Sequence, residues 1–153
     1  MNFVPGDVFD LNTLQIAPPF DELPSTERPD LSTLTSLNPL AGRCAVIYIS
    51  RFFHLFSEEK QLHLAKALAG LLSPRSGSTI CGGQVGNQEK GLHRRNIQGT
   101  VFDMFQHSPK SWCALWDEIF PKGTVKVDVR LEPVETNVVS ESYHLLLWSV
   151  VRL

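Results

Sequence analysis

The stretch that most constrains the fold runs from Cys44 to Gly86. Cys44-Ala45-Val46-Ile47-Tyr48-Ile49 is a continuous apolar run rich in β-branched residues, with no polar alternation. Such a run predicts a strand covered on both faces, as in parallel sheets. After Ser50-Arg51-Phe52-Phe53-His54-Leu55-Phe56, Ser57 is placed to cap a helix, and Glu58 and Glu59 fall in its first turn. Carboxylates there meet the positive end of the helix dipole. Leu64, Leu68, Leu71 and Leu72 keep a helical spacing, and Ser73-Pro74 stops the helix. Ser78-Thr79-Ile80-Cys81 predicts a second short strand, leading into a glycine-rich loop, Gly82-Gly83-Gln84-Val85-Gly86. Strand-helix-strand crossovers are right-handed, so the two strands are expected side by side and parallel. Ligands bind outside the carboxyl ends of such strands. Residues 50–54 and 82–86 are therefore expected to share one edge, and the site is sought there.

A chain of 153 residues is one domain with room for a real core. Its 42% hydrophobic and 20% charged residues are those of a globular protein. A net charge of −2 lacks the basic surplus of a nucleic-acid or acidic-membrane binder, so neither partner is expected. Cys44, Cys81 and Cys113 are odd in number and form no CxxC pair, which points to reduced thiols. No apolar run approaches about 18 residues, so no spanning helix is expected. Residues 1–6 show neither a charged n-region nor an h-region, and the expected location is the cytoplasm.

Along the chain, Phe3-Val4 reads as the tail of a strand and Pro5-Gly6-Asp7-Val8-Phe9-Asp10 as the loop leaving it. Residues 11–42 are an irregular connection rich in Pro, Ser and Thr, with one helical turn expected near 31–37. Loops longer than about 12–15 residues usually serve a function or stay disordered. Residues 87–99 are polar and basic, with Lys90, His93, Arg94 and Arg95, and read as a solvated loop. Ser108 caps a helix with Pro109 at its first position. In it Trp112, Leu115, Trp116 and Ile119 make one apolar face. Val125, Val127, Val129 and Leu131 alternate with charged residues as a half-exposed strand. Residues 143–153 supply its partner, with 145–148 read as buried, and the short link between them makes the pair antiparallel.

These elements describe a mixed α/β sheet, with a parallel pair and a C-terminal antiparallel hairpin. It is similar to the C-terminal part of class I S-adenosylmethionine-dependent methyltransferases, a Rossmann-like fold, and most of all to the fungal small-molecule type. The segments that carry the resemblance are Gly6-Asp7-Val8-Phe9, Phe53-His54-Leu55-Phe56, Leu71-Leu72-Ser73-Pro74, Gly83-Gln84-Val85-Gly86, His107-Ser108-Pro109 with Trp112 and Trp116, and the ending Leu147-Trp148 to Leu153. The resemblance implies methyl transfer from S-adenosylmethionine to a small organic acceptor, by O-methylation in secondary metabolism. It implies that Asp7, Val8 and Phe9 meet the adenine and that Ser50 and Arg51 face the methionine end. His54 is then the candidate base, with Phe52 or Phe53 beside the sulfonium and Phe53, Gln84 and His107 toward the acceptor. The family's glycine-rich first loop and ribose-binding acid do not precede Phe3. The chain is thus read as a single partial domain, N-terminally truncated, with weak or absent binding of the donor.

Other readings compete. Gly82 to Gly86 fails G-x-G-x-x-G because Gln84 and Asn87 stand at glycine positions, and Leu92 replaces the lysine of a P-loop. Cys81, His93, His107 and Cys113 lack paired ligand spacing, so no metal is expected. A serine hydrolase would need a G-x-S-x-G elbow. The alternative of another class is a non-catalytic remnant that packs against a protein partner covering the open sheet edge. A third is an RNA-binding module using residues 90–95.

Overall fold

The structure is a computed structural model that describes residues 3–97, 99–134 and 143–153. A four-stranded sheet carries the fold: β1 (Val46–Ser50), β2 (Thr79–Gly86), β5 (Val125–Val134) and β6 (Tyr143–Arg152), in spatial order β1-β2-β6-β5. β1 and β2 are parallel, joined through helix α1 (Glu58–Leu71); β6 lies between β2 and β5, antiparallel to both. The parallel pair and the C-terminal antiparallel pair are those expected. A second sheet is the hairpin of β3 (Gly91–Ile97) and β4 (Thr100–Gln106), followed by helix α2 (Pro109–Ile119).

Both helices start as their sequences require. Ser57 accepts the Lys60 N–H at α1, and Ser108 forms a reciprocal capping box with Ser111 at α2, where Pro109 needs no N–H partner. The helices pack on one face of the sheet only. There Leu64, Leu68, Ile80, Leu146, Val150 and Trp148 are buried beneath Trp112 and Trp116. The Trp112 and Trp148 rings lie 5.0 Å apart, and Phe53 meets Trp112 edge-on at 4.9 Å.

Register shows which residues face the other way: Tyr48 pairs with Cys81, Cys81 with Ser149, and Ser149 with Asp128. That face is open. Val46 is 68% and Tyr48 73% exposed, which corrects the expectation of a β1 covered on both sides. β6 likewise alternates, with Leu146 and Trp148 buried and Leu145 and Leu147 half-buried, rather than wholly buried over 145–148.

Three further expectations are corrected. Residues 82–86 are strand, not loop, and their glycines answer to close packing. A Cβ at Gly82 would overlap the Ile49 carbonyl oxygen, and one at Gly83 would stand 2.8 Å from Leu147 Cδ2. Residues 91–97 belong to the hairpin rather than a loop. Gly99, at φ 85°, sits at its turn and donates its N–H to Asn96 Oδ1 at 2.9 Å. Phe3 and Val4 are coil and Phe3 is exposed, so they are not the end of a strand.

Residues 7–17 form a strap along α1. Phe9 packs edge-on against Phe56 at 4.8 Å and His63 at 5.6 Å, Leu14 is buried, and Ala17 lies against Gly70. Asn38 ties the strap to the 3-10 turn Asn38–Leu40, accepting from Gln15 N–H and donating to the Leu11 carbonyl. A second 3-10 turn, Leu31–Thr33, is capped by Asp30. Arg152 at the end of β6 donates to the Phe20 carbonyl, closing the connection onto the sheet.

Candidate functional site

The carboxyl end of β1 leads into Arg51 and a 3-10 turn, Phe53–Leu55, which packs against β2, β4 and α1. Arg51 takes the positive φ of 53°, the one such non-glycine among the described residues, and its N–H reaches the Gly83 carbonyl at 2.6 Å. This turn reverses the chain so abruptly that successive side chains part company. Ser50 and Arg51 line a groove of about 820 Å³ on the open face, with Tyr48, Cys81, Gly83 and Leu147. Ser50 Oγ is already hydrogen-bonded to the Gly83 carbonyl at 3.3 Å. Phe52 joins Phe56 and Phe9 in an edge-to-face series on the flank, while Phe53 turns inward.

His54 is buried, and its Nδ1 has no hydrogen-bond partner. Burial holds its pKa below the usual histidine range, and the charge of Arg51 adds to that, so the ring is neutral at physiological pH. Gln84, on the covered face of β2, is 1% exposed with both amide atoms unpartnered. His107 is 2% exposed; its Nδ1 lies 2.9 Å from Ser111 Oγ and its Nε2 has no partner. Its ring meets Trp112 at 5.2 Å, and burial followed by the charge of Lys90 lowers its pKa to about 4. Buried polar groups left without partners cost about 1–3 kcal/mol each, so His54, Gln84 and His107 are each functional candidates rather than folding devices.

His107 also borders an open cleft of about 620 Å³ between the first turns of α1 and α2, with Glu58, Lys90, Leu62, Ser111 and Leu115. Lys90 and Glu58 form an ion pair across it. Arg94 in turn forms a two-point pair with Asp103 across the hairpin at 3.0 and 3.2 Å. Two of the basic residues singled out for a solvated loop are thus already matched to carboxylates. No group of three or more His, Cys, Asp or Glu among the described residues could hold a metal, and no helix among them is long and apolar enough to cross a membrane.

The residues singled out from sequence divide into three places. Asp7, Val8 and Phe9 lie on the strap, where Asp7 Oδ1 accepts the Phe9 N–H at 2.9 Å and Phe9 reaches Phe56, two residues past His54. Ser50 and Arg51 face the open groove. Phe53 and His107 both pack on Trp112 in the interior, where Gln84 is also buried. Phe53 is 1% exposed, so its ring is spent on the core. Sequence reading missed Gln61, which donates to the Phe56 and Phe105 carbonyls, both at 3.0 Å, and so binds the 3-10 turn to the hairpin. Its signal was present: a polar residue three positions before Leu64 on the apolar side of α1.

No protein-family model matches the chain. O-methyltransferase phiE of a fungal species (strain ATCC 74256) is 29% identical over 99 residues, 65% of this chain and 32% of that protein. Methyltransferase adrK of Penicillium roqueforti is 30% identical over 59% of this chain and 32% of its own. The Asnovolin E/Chermesin D methyltransferase nvfJ of Aspergillus novofumigatus is 34% identical over 54% and 29%. The matched region thus spans about a third of the length of these curated relatives. Among solved structures, the DhpI-SAH complex superposes with a TM-score of 0.44 and 13% identity over 71% of this chain and 47% of that chain. Over more than half of its length, the chain is related in sequence to fungal methyltransferases.

Proposed function

We propose that this chain serves methyl transfer from S-adenosylmethionine to an oxygen of a small organic acceptor, and that its residues alone hold the donor weakly. The observation that supports this is the sequence relation to fungal methyltransferases, one of them named as an O-methyltransferase. The fit of the described residues to the donor is partial. Asp7 keeps one carboxylate oxygen for an adenine amino group, and Phe9 and Val8 offer an apolar wall beside it. For the ribose the same loop has only Asp10, whose Oδ1 is engaged by Asn12, and it contains no buried unpartnered polar atom. When bound, S-adenosylmethionine supplies a methyl group already activated on a sulfonium. The chain's own contribution is to orient the acceptor, and His54, kept neutral, has a lone pair free for an acceptor hydroxyl proton.

Titration of the isotope-labelled chain with S-adenosylhomocysteine, followed by NMR, tests this reading. Amide shifts confined to residues 7–9 and 50–54, saturating in the millimolar range, are expected, and an Asp7→Ala variant should lose them. An unchanged spectrum at millimolar ligand would overturn the donor assignment. It would favour a second reading, a non-catalytic chain that works by packing, which the exposed Val46 and Tyr48 support.

A further inference from the structure

The cleft between α1 and α2 lies on the covered side of the sheet, and none of its walls belongs to β1 or to the groove on the open face. It is apolar at Leu62 and Leu115, and its volume of about 620 Å³ falls in the range of small-molecule sites. Three carboxylates, Glu58, Glu59 and Glu118, line it with one ammonium, Lys90, which is already paired with Glu58. Of the described residues around it, only His107 holds a buried side-chain atom without a partner, Nε2. The start of α2 orients that ring. Ser111 Oγ accepts the Ser108 N–H at 2.9 Å and donates its single proton to the Ser108 carbonyl at 3.1 Å. It is left to accept from His107 Nδ1 at 2.9 Å, so the neutral ring carries its proton on Nδ1 and Nε2 is a bare lone pair. The charges of Lys90 and Glu58 both act on the ring, which places it beside the ion pair that spans the cleft.

We infer that this cleft binds a neutral, mostly apolar small molecule that carries a hydroxyl group, and that the hydroxyl donates to His107 Nε2. A bare lone pair requires a donor. At 2% exposure the ring favours an uncharged one, because an ammonium there would be stripped of its water. Anionic ligands are opposed by the surplus of carboxylates around the cleft. Leu62 and Leu115 supply apolar contact, and the hydroxyl supplies the partner that the folded chain does not. A ligand without that hydroxyl would cover Nε2 and leave it unsatisfied, so the site discriminates by this one group. The inference stands apart from methyl transfer, since residues 7–9 and 50–54 line none of the cleft.

Phenol and anisole, alike in shape except that anisole has no O–H, are the probes. Titrated at millimolar concentration into the isotope-labelled chain, phenol should shift the amides of Leu62, Ser111 and Leu115 and move the His107 Nε2 nitrogen resonance upfield. Anisole should bind about tenfold more weakly, the ratio that one net hydrogen bond supplies, and leave that resonance in place. His107→Phe fills the same space without the lone pair and should bind the two probes alike while keeping the wild-type circular dichroism. If that variant does not fold, the comparison of the two probes in the wild type decides. Equal affinities in the wild type, an unmoved Nε2 resonance, shifts confined to residues outside the cleft, or no binding of phenol overturns the inference.

Discussion

At residue scale the most informative group is His107. It is held by Ser111 on one side and by nothing on the other, and burial keeps it uncharged with a pKa of about 4. In the unfolded chain the same imidazole titrates near 6.5, so between these values the unfolded state binds more protons than the folded one. Stability should therefore fall as pH drops through this window, by roughly 3 kcal/mol from this group alone. His54 shifts in the same direction, first through burial and then through Arg51, and adds to the loss. Urea unfolding at pH 7 and pH 4.5, wild type against His107→Gln, isolates the His107 share. A variant whose midpoint falls as steeply as that of wild type would show that His107 is solvated and charged in the folded protein. The His107-Ser108-Pro109 motif was legible as the start of a helix. The unpartnered Nε2 was not, because it depends on Trp112 and Phe105 closing over the ring from two different elements.

At the scale of elements, the crossover from β1 to β2 was readable in outline and misread at its end. Ser57, the leucine spacing and Ser73-Pro74 mark α1 by local chemistry that no tertiary contact alters. The glycines at 82, 83 and 86 suggested a loop because glycine is disfavoured inside strands, yet here they let β2 approach its neighbours closely. Gly82→Ala should accordingly cost about 3 kcal/mol, at the severe end of overpacking, because the obstacle is the Ile49 backbone and not a movable side chain. A midpoint within about 0.5 kcal/mol of wild type, the range of an ordinary surface change, would mean that β1 and β2 lie farther apart than described. The β3-β4 hairpin escaped notice because its basic residues hide the alternation. Its two strands are joined by Arg94 and Asp103, nine positions apart, and that pairing exists only once the chain has turned at Gly99.

For the molecule as a whole, the main feature is a sheet with a parallel pair that is covered on one face. Sheets of this kind normally have both faces covered. The outer edge of β1 pairs with none of the described strands, which is measurable by amide exchange. Ile47 and Ile49, bonded to β2, should exchange slowly, while positions 46, 48 and 50 should exchange quickly. Uniform protection along β1 would mean that its outer edge is covered from within the chain.

Sequence alone determined whatever depends on neighbours a few positions away: the caps at Ser57 and Ser108, the apolar faces of α1 and α2, the alternation of β5, and the mixed sheet with its antiparallel end. Tertiary structure decided which face of each strand is covered, why glycines fill β2, and how Ser50 comes to line the open groove while His54 is buried and Asp7 lies on the strap. The physical reason is that an apolar side chain records only a preference to leave water. Whether it does so depends on what the rest of the chain can bring against it, and for Val46 and Tyr48 nothing among the described residues does.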